Sequence, residues 1–410
     1  MGKTLTGRWR DQAGKFLREI KDTPAAIIMG GSVNGLSFAR SLGRRGVPIL
    51  LMESERLIGT YTRFAHFLFL PHVDEFPEEW LESLFCIGAR IRKPAVIFPT
   101  SDAHTQFVSL HAGELKKHFL FFVPNIDVIN QILNKRVQYG IAASAGIPIP
   151  QTHFPESLME VQSLSGSISF PCILKPYTSH VGRKKIQDKV RVVRSTDELV
   201  SEYGRVASKG TEFMVQEIIP GGDDTLYGYL GMWDGEELRD AWLTKRKLRQ
   251  NNPFGDGSLQ VSIEAEDVAD LSRRLLGRFN YRGFVGVEFR FDARDRTYRL
   301  MEINPRTVSG NQLGISAGVD LPWIAYRQLV GLDPETRQST FRRDVQYVNE
   351  EWDAQAFAAL RRSGELTLVA WLRSLRGTRA WALFAWDDPL PLLVGLWRFL
   401  RISLRRAMRR

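Results

Sequence analysis

Residues 283–306 read GFVGVEFRFDARDRTYRLMEINPR, and their alternation of apolar and polar side chains predicts two β-strands joined at the charged ARDR turn. Glu302 and Asn304 are two residues apart, so as strand residues they point to one face. Glu288 sits on the facing strand in an alternating VEFRF context. Like charges on one sheet face repel unless a cation lies between them. Two carboxylates and an amide oxygen are hard donors that suit Mg²⁺, and would also accept Mn²⁺, bridging phosphates. Arg306 follows at once, placed for a developing phosphoryl charge or a substrate carboxylate.

Working back along the chain, FMVQEIIPGGDD (213–224) predicts a strand running into a turn, and YGYLGMWDGEEL a hairpin around Asp234 and residue 235. TKRKLRQ (244–250) is a basic strand in which Lys247 and Arg249 alternate towards one side, as candidates for a γ-phosphate or an acyl phosphate. Which of Lys247, Arg249 and Arg306 faces inward is open at this level. FPCILKP (170–176) is an apolar strand carrying Lys175, an ammonium costly to bury without an anion. Lys135 opens a helix-like KRVQYGIAASAG. A nucleoside triphosphate carries about four negative charges and answers the need of both lysines. The stretch Gln216, Glu217, Ile218 and Ile219 suits an adenine pocket. Glu217 can accept from the adenine amino group, and the Ile218–Ile219 backbone can pair with the ring edge as another strand would. Asp224, or its neighbour Asp223, is placed for ribose hydroxyls.

Further upstream, AAIIMGG, SVNGLSFARSLGRRG and VPILLME predict strand, glycine-rich turn, helix and strand, the start of a parallel α/β sheet. AVIFPTSD and HFLFFVP extend it. The turn GGSVNG could hold an anion at a helix N-terminus, but it is not a full GxGxxG.

The ordered set from Lys135 to Arg306 resembles the ATP-grasp superfamily, which includes D-alanine–D-alanine ligase, D-aspartate ligase and biotin carboxylase. The resemblance covers roughly residues 25–335, and the chain as a whole reads as α/β in four parts. Residues 1–22 are an N-terminal leader, 23–123 a Rossmann-like domain, 124–335 an ATP-grasp domain of two α+β subdomains with its lid near 150–215, and 336–410 a helical extension. It implies ATP and Mg²⁺ as cofactors, and ligation of a carboxylate to an amine or thiol through an acyl phosphate, with ADP and phosphate released. A carboxylase of the same superfamily and a non-catalytic nucleotide-binding scaffold at a membrane surface are the alternatives. One departure stands out. The family's phosphate lid is rich in glycine and serine, whereas here it reads TSHVGRKK, with Gly182 its one glycine and Arg183 or Lys184 available for phosphate contacts.

Composition agrees with an enzyme of this kind. The chain has 410 residues, 43% hydrophobic and 25% charged, which suits two or three globular domains. Its two cysteines lack metal spacing, and no apolar stretch near the N-terminus reads as a secretory signal, so a cytoplasmic setting is expected. The net charge of +10 is loaded at the end, RFLRISLRRAMRR. Leu393, Leu396, Leu400 and Leu404 fall opposite Arg398, Arg401, Arg405 and Arg409 on a helix. That is the profile of an interfacial helix, so residues 387–410 are expected to meet an anionic membrane on its inner face. Small-molecule carboxylate and amine substrates are the expected partners. No module for specific nucleic-acid binding is recognisable, and a homodimer is compatible with the sequence.

Overall fold

The computed structural model describes residues 8–20, 22–177, 190–207, 212–234, 241–332 and 340–407. Five strands, β1 (Ala26–Met29), β2 (Ile49–Glu53), β3 (His66–Phe69), β4 (Ala95–Pro99) and β5 (Phe119–Leu120), form a parallel sheet in the order β3-β2-β1-β4-β5. β1 and β2 are buried at every position, as expected of strands covered on both faces by helices. The strand order reverses between β1 and β4, so a crevice opens beyond their carboxyl ends. The helix α2 (Val33–Gly43) starts at that crevice. Gly35 lets it approach closely, because a Cβ there would lie 1.9 Å from the Gly30 carbonyl oxygen.

A four-stranded sheet follows, β6 (Thr152–His153), β7 (Cys172–Pro176), β8 (Arg191–Val193) and β9 (Phe213–Glu217), in the order β6-β9-β7-β8. Beside it is a seven-stranded sheet. It contains β10 (Leu226–Trp233), β11 (Ala241–Gln250), β12 (Gly257–Ser262), β13 (Gly283–Asp292) and β14 (Thr297–Asn304), then β15 (Gln346–Val348) and β16 (Thr378–Trp381). Both hairpins expected from the sequence form, β10 against β11 and β13 against β14; the turn at 235–240 lies outside the described residues.

Two stretches differ from expectation. Within the supposed leader, Arg8–Glu19 is a helix whose Trp9, Ala13 and Phe16 are buried against the first sheet. Their spacing of four and three residues is that of one helical face. The extension beyond 336 is not helical throughout. It contributes β15 and β16 to the large sheet, and β15 pairs with β12 from Leu259 to Val261. One apolar core runs from Ile28 and Phe38 in the first domain to Leu243 and Phe284 in the large sheet and Leu383 near the end. Arg40 of α2 and Asp388 are both almost fully buried and paired at 2.9 Å. The Asp388 carboxylate also accepts from Thr62 Oγ1 and the Arg63 N–H, so burial of the charges is matched by hydrogen bonds.

Candidate active site

Between the four- and seven-stranded sheets lies a cleft of about 450 Å³. Ile173, Ile219, Leu226 and Met301 give it apolar walls. The strand exit, Glu217, Ile218 and Ile219, forms one edge of it. Lys135 and Lys175 both line it. Burial and the neighbouring Lys135 charge depress the Lys175 ammonium to about 8, partly offset by Glu302. A lysine held this way favours an anionic ligand.

Glu288 and Glu302 are direct register partners across β13 and β14. The Glu288 carboxylate accepts from Lys247 Nζ at 2.8 Å, and Glu302 lies 3.4 Å from Lys135 Nζ. Burial opposes ionisation of Glu302, but Lys135, Lys175 and Arg306 outweigh it and draw its carboxyl down to about 2. Asn304 Oδ1 accepts from Arg306 Nη2 at 3.1 Å, and Arg306 Nε donates to Asp102 at 2.7 Å. The donors fit a hard divalent ion, with two opposed carboxylates and an amide oxygen. Among the described residues no group of three His, Cys, Asp or Glu could hold a metal without help. An ion here would therefore complete its shell with phosphate oxygens and water.

A second chamber of about 630 Å³ adjoins the first. Phe254, Gly255, Lys247, Glu288 and Glu302 border both. Its far wall comes from the crevice of the parallel sheet (Ser32, Asn34, Ser101, Asp102), and the remainder includes Lys245, Asn304, Arg306, Asn349, Trp352 and Arg398. Asn34 donates to the Thr100 and Thr307 carbonyls while its buried Oδ1 has no partner. Asn34 lines the chamber as a residue, and its orphaned acceptor lies just beneath that wall. Lys245 is buried, its ammonium pushed down to about 8 by desolvation, and it donates to Gln260 at 2.7 Å.

Several sequence-level assignments need correction. Arg249 does not share a side with Lys247. The β11–β12 register shifts between them, and the extra residue reverses the alternation. Arg249 is instead buried against Asp353 at 2.7 Å and also donates to Ser374. Gln216 is fully buried, its amide donating to Tyr139 and Thr152, and does not reach the cleft. The Glu217 carboxylate accepts from Gln151 N and Arg294 Nη2, so it braces the strand exit, leaving backbone groups to meet a base. Asp223, rather than Asp224, lines the cleft, held by the Gln250 N–H at 2.8 Å. Gly182 lies outside the described residues. Lys245 was legible beside Lys247, two residues away on the same strand face. Asp102 and Asn34 gave no local signal, since they meet Arg306 and Thr307 across more than two hundred residues.

A cleft between two sheets, lined by two lysines and facing paired carboxylates, is the arrangement expected of an ATP-grasp fold. The comparisons agree. Residues 239–351 match the family described as ATP-grasp in the biosynthetic pathway with Ter operon. The chain is 25% identical over 302 residues to D-aspartate ligase of Enterococcus faecium, covering 68% of this chain and 70% of that one. It is 28% identical over 292 residues to formate-dependent phosphoribosylglycinamide formyltransferase of Bacteroides fragilis, covering 68% and 70%. Among solved structures, the biotin carboxylase domain of Hydrogenobacter thermophilus 2-oxoglutarate carboxylase, in complex with MgADP, superposes with a TM-score of 0.61 at 16% identity over 80% of this chain and 74% of that one. N5-carboxyaminoimidazole synthetase of Staphylococcus aureus does so at 0.60 and 14%, over 80% and 82%. The family match over residues 239–351, these relatives and the shared fold all point to the ATP-grasp superfamily.

Proposed function

We propose that this protein is an ADP-forming ligase that joins a small carboxylate to an amine through an acyl phosphate. The observation that carries this reading is the meeting of the two chambers at Lys247, Glu288 and Glu302. A γ-phosphate entering from the first chamber and a carboxylate entering from the second would come together there. In this reading Lys135 and Lys175 hold the phosphates, the backbone of Glu217, Ile218 and Ile219 reads the base, and Asp223 faces the ribose. Glu288, Glu302 and Asn304 would hold Mg²⁺, which supplies charge neutralisation between phosphate oxygens.

The substrate carboxylate attacks the γ-phosphorus, the bond to the ADP oxygen breaks, and ADP leaves. The amine then attacks the acyl carbon, phosphate departs with the bonding pair, and the amine loses its proton. Lys247 and Arg306 border the point where charge builds on the transferred group, fixed there by Glu288 and Asp102. Lys245 is placed for the carboxylate of the second substrate.

Release of ADP, screened against amino acids, small peptides and sugar acids, identifies the carboxylate. Hydroxylamine added with ATP and that carboxylate should give a hydroxamate. ADP release that depends on bicarbonate and yields no hydroxamate would turn the reading to a carboxylase. Among the described residues no helix is long and apolar enough to cross a membrane. We further propose that the protein works in the cytoplasm as a peripheral partner of an anionic membrane, a reading supported by the basic, leucine-rich residues 387–410.

A further inference from the structure

The C-terminal helix, Leu390–Ala407, lies on the molecule with an unusual face outward. Pro391 and Gly395 are buried, and a side chain at 395 would lie 2.7 Å from Leu383, so the helix is seated closely along that line. Arg398 is on the same inner side. It donates to the Arg56 carbonyl, stacks 5.7 Å over Tyr61, and lines the second chamber beside Glu351 and Trp352. The outer side carries Leu390, Leu393, Leu396, Trp397 and Leu400, all between 49% and 58% exposed. At about 100° per residue these five span an arc of about 120°, opposite Gly395. Trp386, in the turn before the helix, is 89% exposed.

A helix seated on its host normally buries its leucines and presents its charges to water. Here an arginine faces inward and a row of leucines faces out, which leaves a continuous apolar stripe without a cover. Arg401 is exposed at the edge of the stripe, 5.2 Å over the Trp397 ring, and the sequence goes on with Arg405, Arg406, Arg409 and Arg410. We infer that this helix docks the protein on an anionic lipid surface through its leucine and tryptophan face, while its opposite face closes the second chamber.

Charge selects lipid over the other occupants. A second copy packed about a two-fold axis would cover the leucine row but set two arginine-rich segments in one interface, with no acidic side chain in residues 389–410 to meet them. A nucleic acid would engage the arginines but give the leucine row nothing to bury against. An anionic bilayer meets both at once, with apolar side chains entering the acyl boundary and arginines at the headgroups. The chamber wall at Arg398 then lies one helix thickness, about 10 Å, from the lipid. That position suits a substrate carried on a membrane-anchored or amphiphilic molecule.

The test uses the full chain, sedimented with vesicles of phosphatidylglycerol and phosphatidylcholine or of phosphatidylcholine alone. It needs no nucleotide, so its outcome is separate from the reading of the cleft. The protein should pellet with the anionic vesicles only, and the bound fraction should fall as salt is raised. Leu393→Gln, Leu396→Gln and Leu400→Gln combined should weaken the partition at least tenfold while leaving ATP affinity and melting temperature unchanged; Arg401→Glu should weaken it less. Wild-type protein that stays in the supernatant overturns the inference. So does a triple variant that binds as well as wild type. A dimer in solution that the triple variant abolishes, with no vesicle binding, would assign the stripe to a second copy instead.

Discussion

At the scale of single residues, the cleft is governed by lysines whose charge burial opposes. Lys175 is the clearest case, with its ammonium depressed to about 8. Replacing it with alanine removes a charged hydrogen-bond donor, worth about 1.5–3 kcal/mol, so ATP should bind about ten- to a hundredfold more weakly by calorimetry. The pH dependence follows from the same shift. A lysine depressed by burial loses its proton as pH rises through about 8, and with it the attraction for phosphate. Wild-type affinity for ATP should therefore fall between about pH 7 and about pH 9, and this fall should be shallower in Lys175→Ala. Stability moves the other way. The unfolded chain holds this proton up to about 10.4, so the buried lysine costs stability below about 8 and that cost fades as pH rises towards 10.4. An ATP affinity that is flat across the same interval would remove Lys175 from the phosphate site. Residues such as Lys175 and Glu302 were legible because strand alternation and an apolar context make a lone charge conspicuous. Asp102, which fixes Arg306, was not, because its partner lies 204 residues away and nothing local marks it.

At the scale of elements, β11 shows where periodicity stops being a guide. The run TKRKLRQ alternates in sequence, and Lys245 and Lys247 obey it, but a register shift against β12 turns Arg249 to the other side. A bulge depends on the pairing partner, so a strand read by itself does not reveal it. The displaced Arg249 enters a buried network with Asp353, which also accepts from Ser258 and the Trp371 indole. Asp353→Ala should leave that guanidinium buried without a counter-charge. The expected loss is about 3–5 kcal/mol of stability, seen as a lower denaturation midpoint, with little change in the ATP affinity of the protein that remains folded. An equal loss of ATP affinity at unchanged stability would place Arg249 in the site after all. The same limit applies to the second half of the extension. The β13–β14 hairpin announced itself through strands of ten and eight residues, whereas β15 and β16 are three and four residues long, β15 added to the edge at β12 and β16 to β15.

At the scale of the whole molecule, the parts that the sequence divides are bound together. Asp388 takes the Arg40 guanidinium, the Thr62 hydroxyl and the Arg63 N–H from the first domain, and all of these groups except Arg63 are buried. Asp388→Ala should cost about 3–5 kcal/mol, lower the melting temperature, and loosen the contact between the first domain and the loop ahead of the C-terminal helix. Removing residues 402–410 leaves this network whole and should leave the melting temperature nearly unchanged. A truncation at 387 would do both kinds of damage and is a poor probe of the tail. The fold class was readable because the first sheet and the large hairpin carry their own periodic strands. Their interlocking was not, since the Arg40–Asp388 pair spans nearly the full length of the chain and ordinary surface residues look the same in sequence.

The wall formed by Asn349, Trp352 and Arg398 has a consequence for the order in which the protein comes into being. On the ribosome the parallel sheet and its crevice emerge first, and the lysine-bearing strands next. The second chamber, however, stays open on one side until the residues around 398 have been made and laid across Ile58 and Tyr61. A nascent chain halted before that point could hold a nucleotide but would have no enclosed place in which to spend it. On the proposed reading, competence for ligation is thereby withheld from unfinished copies.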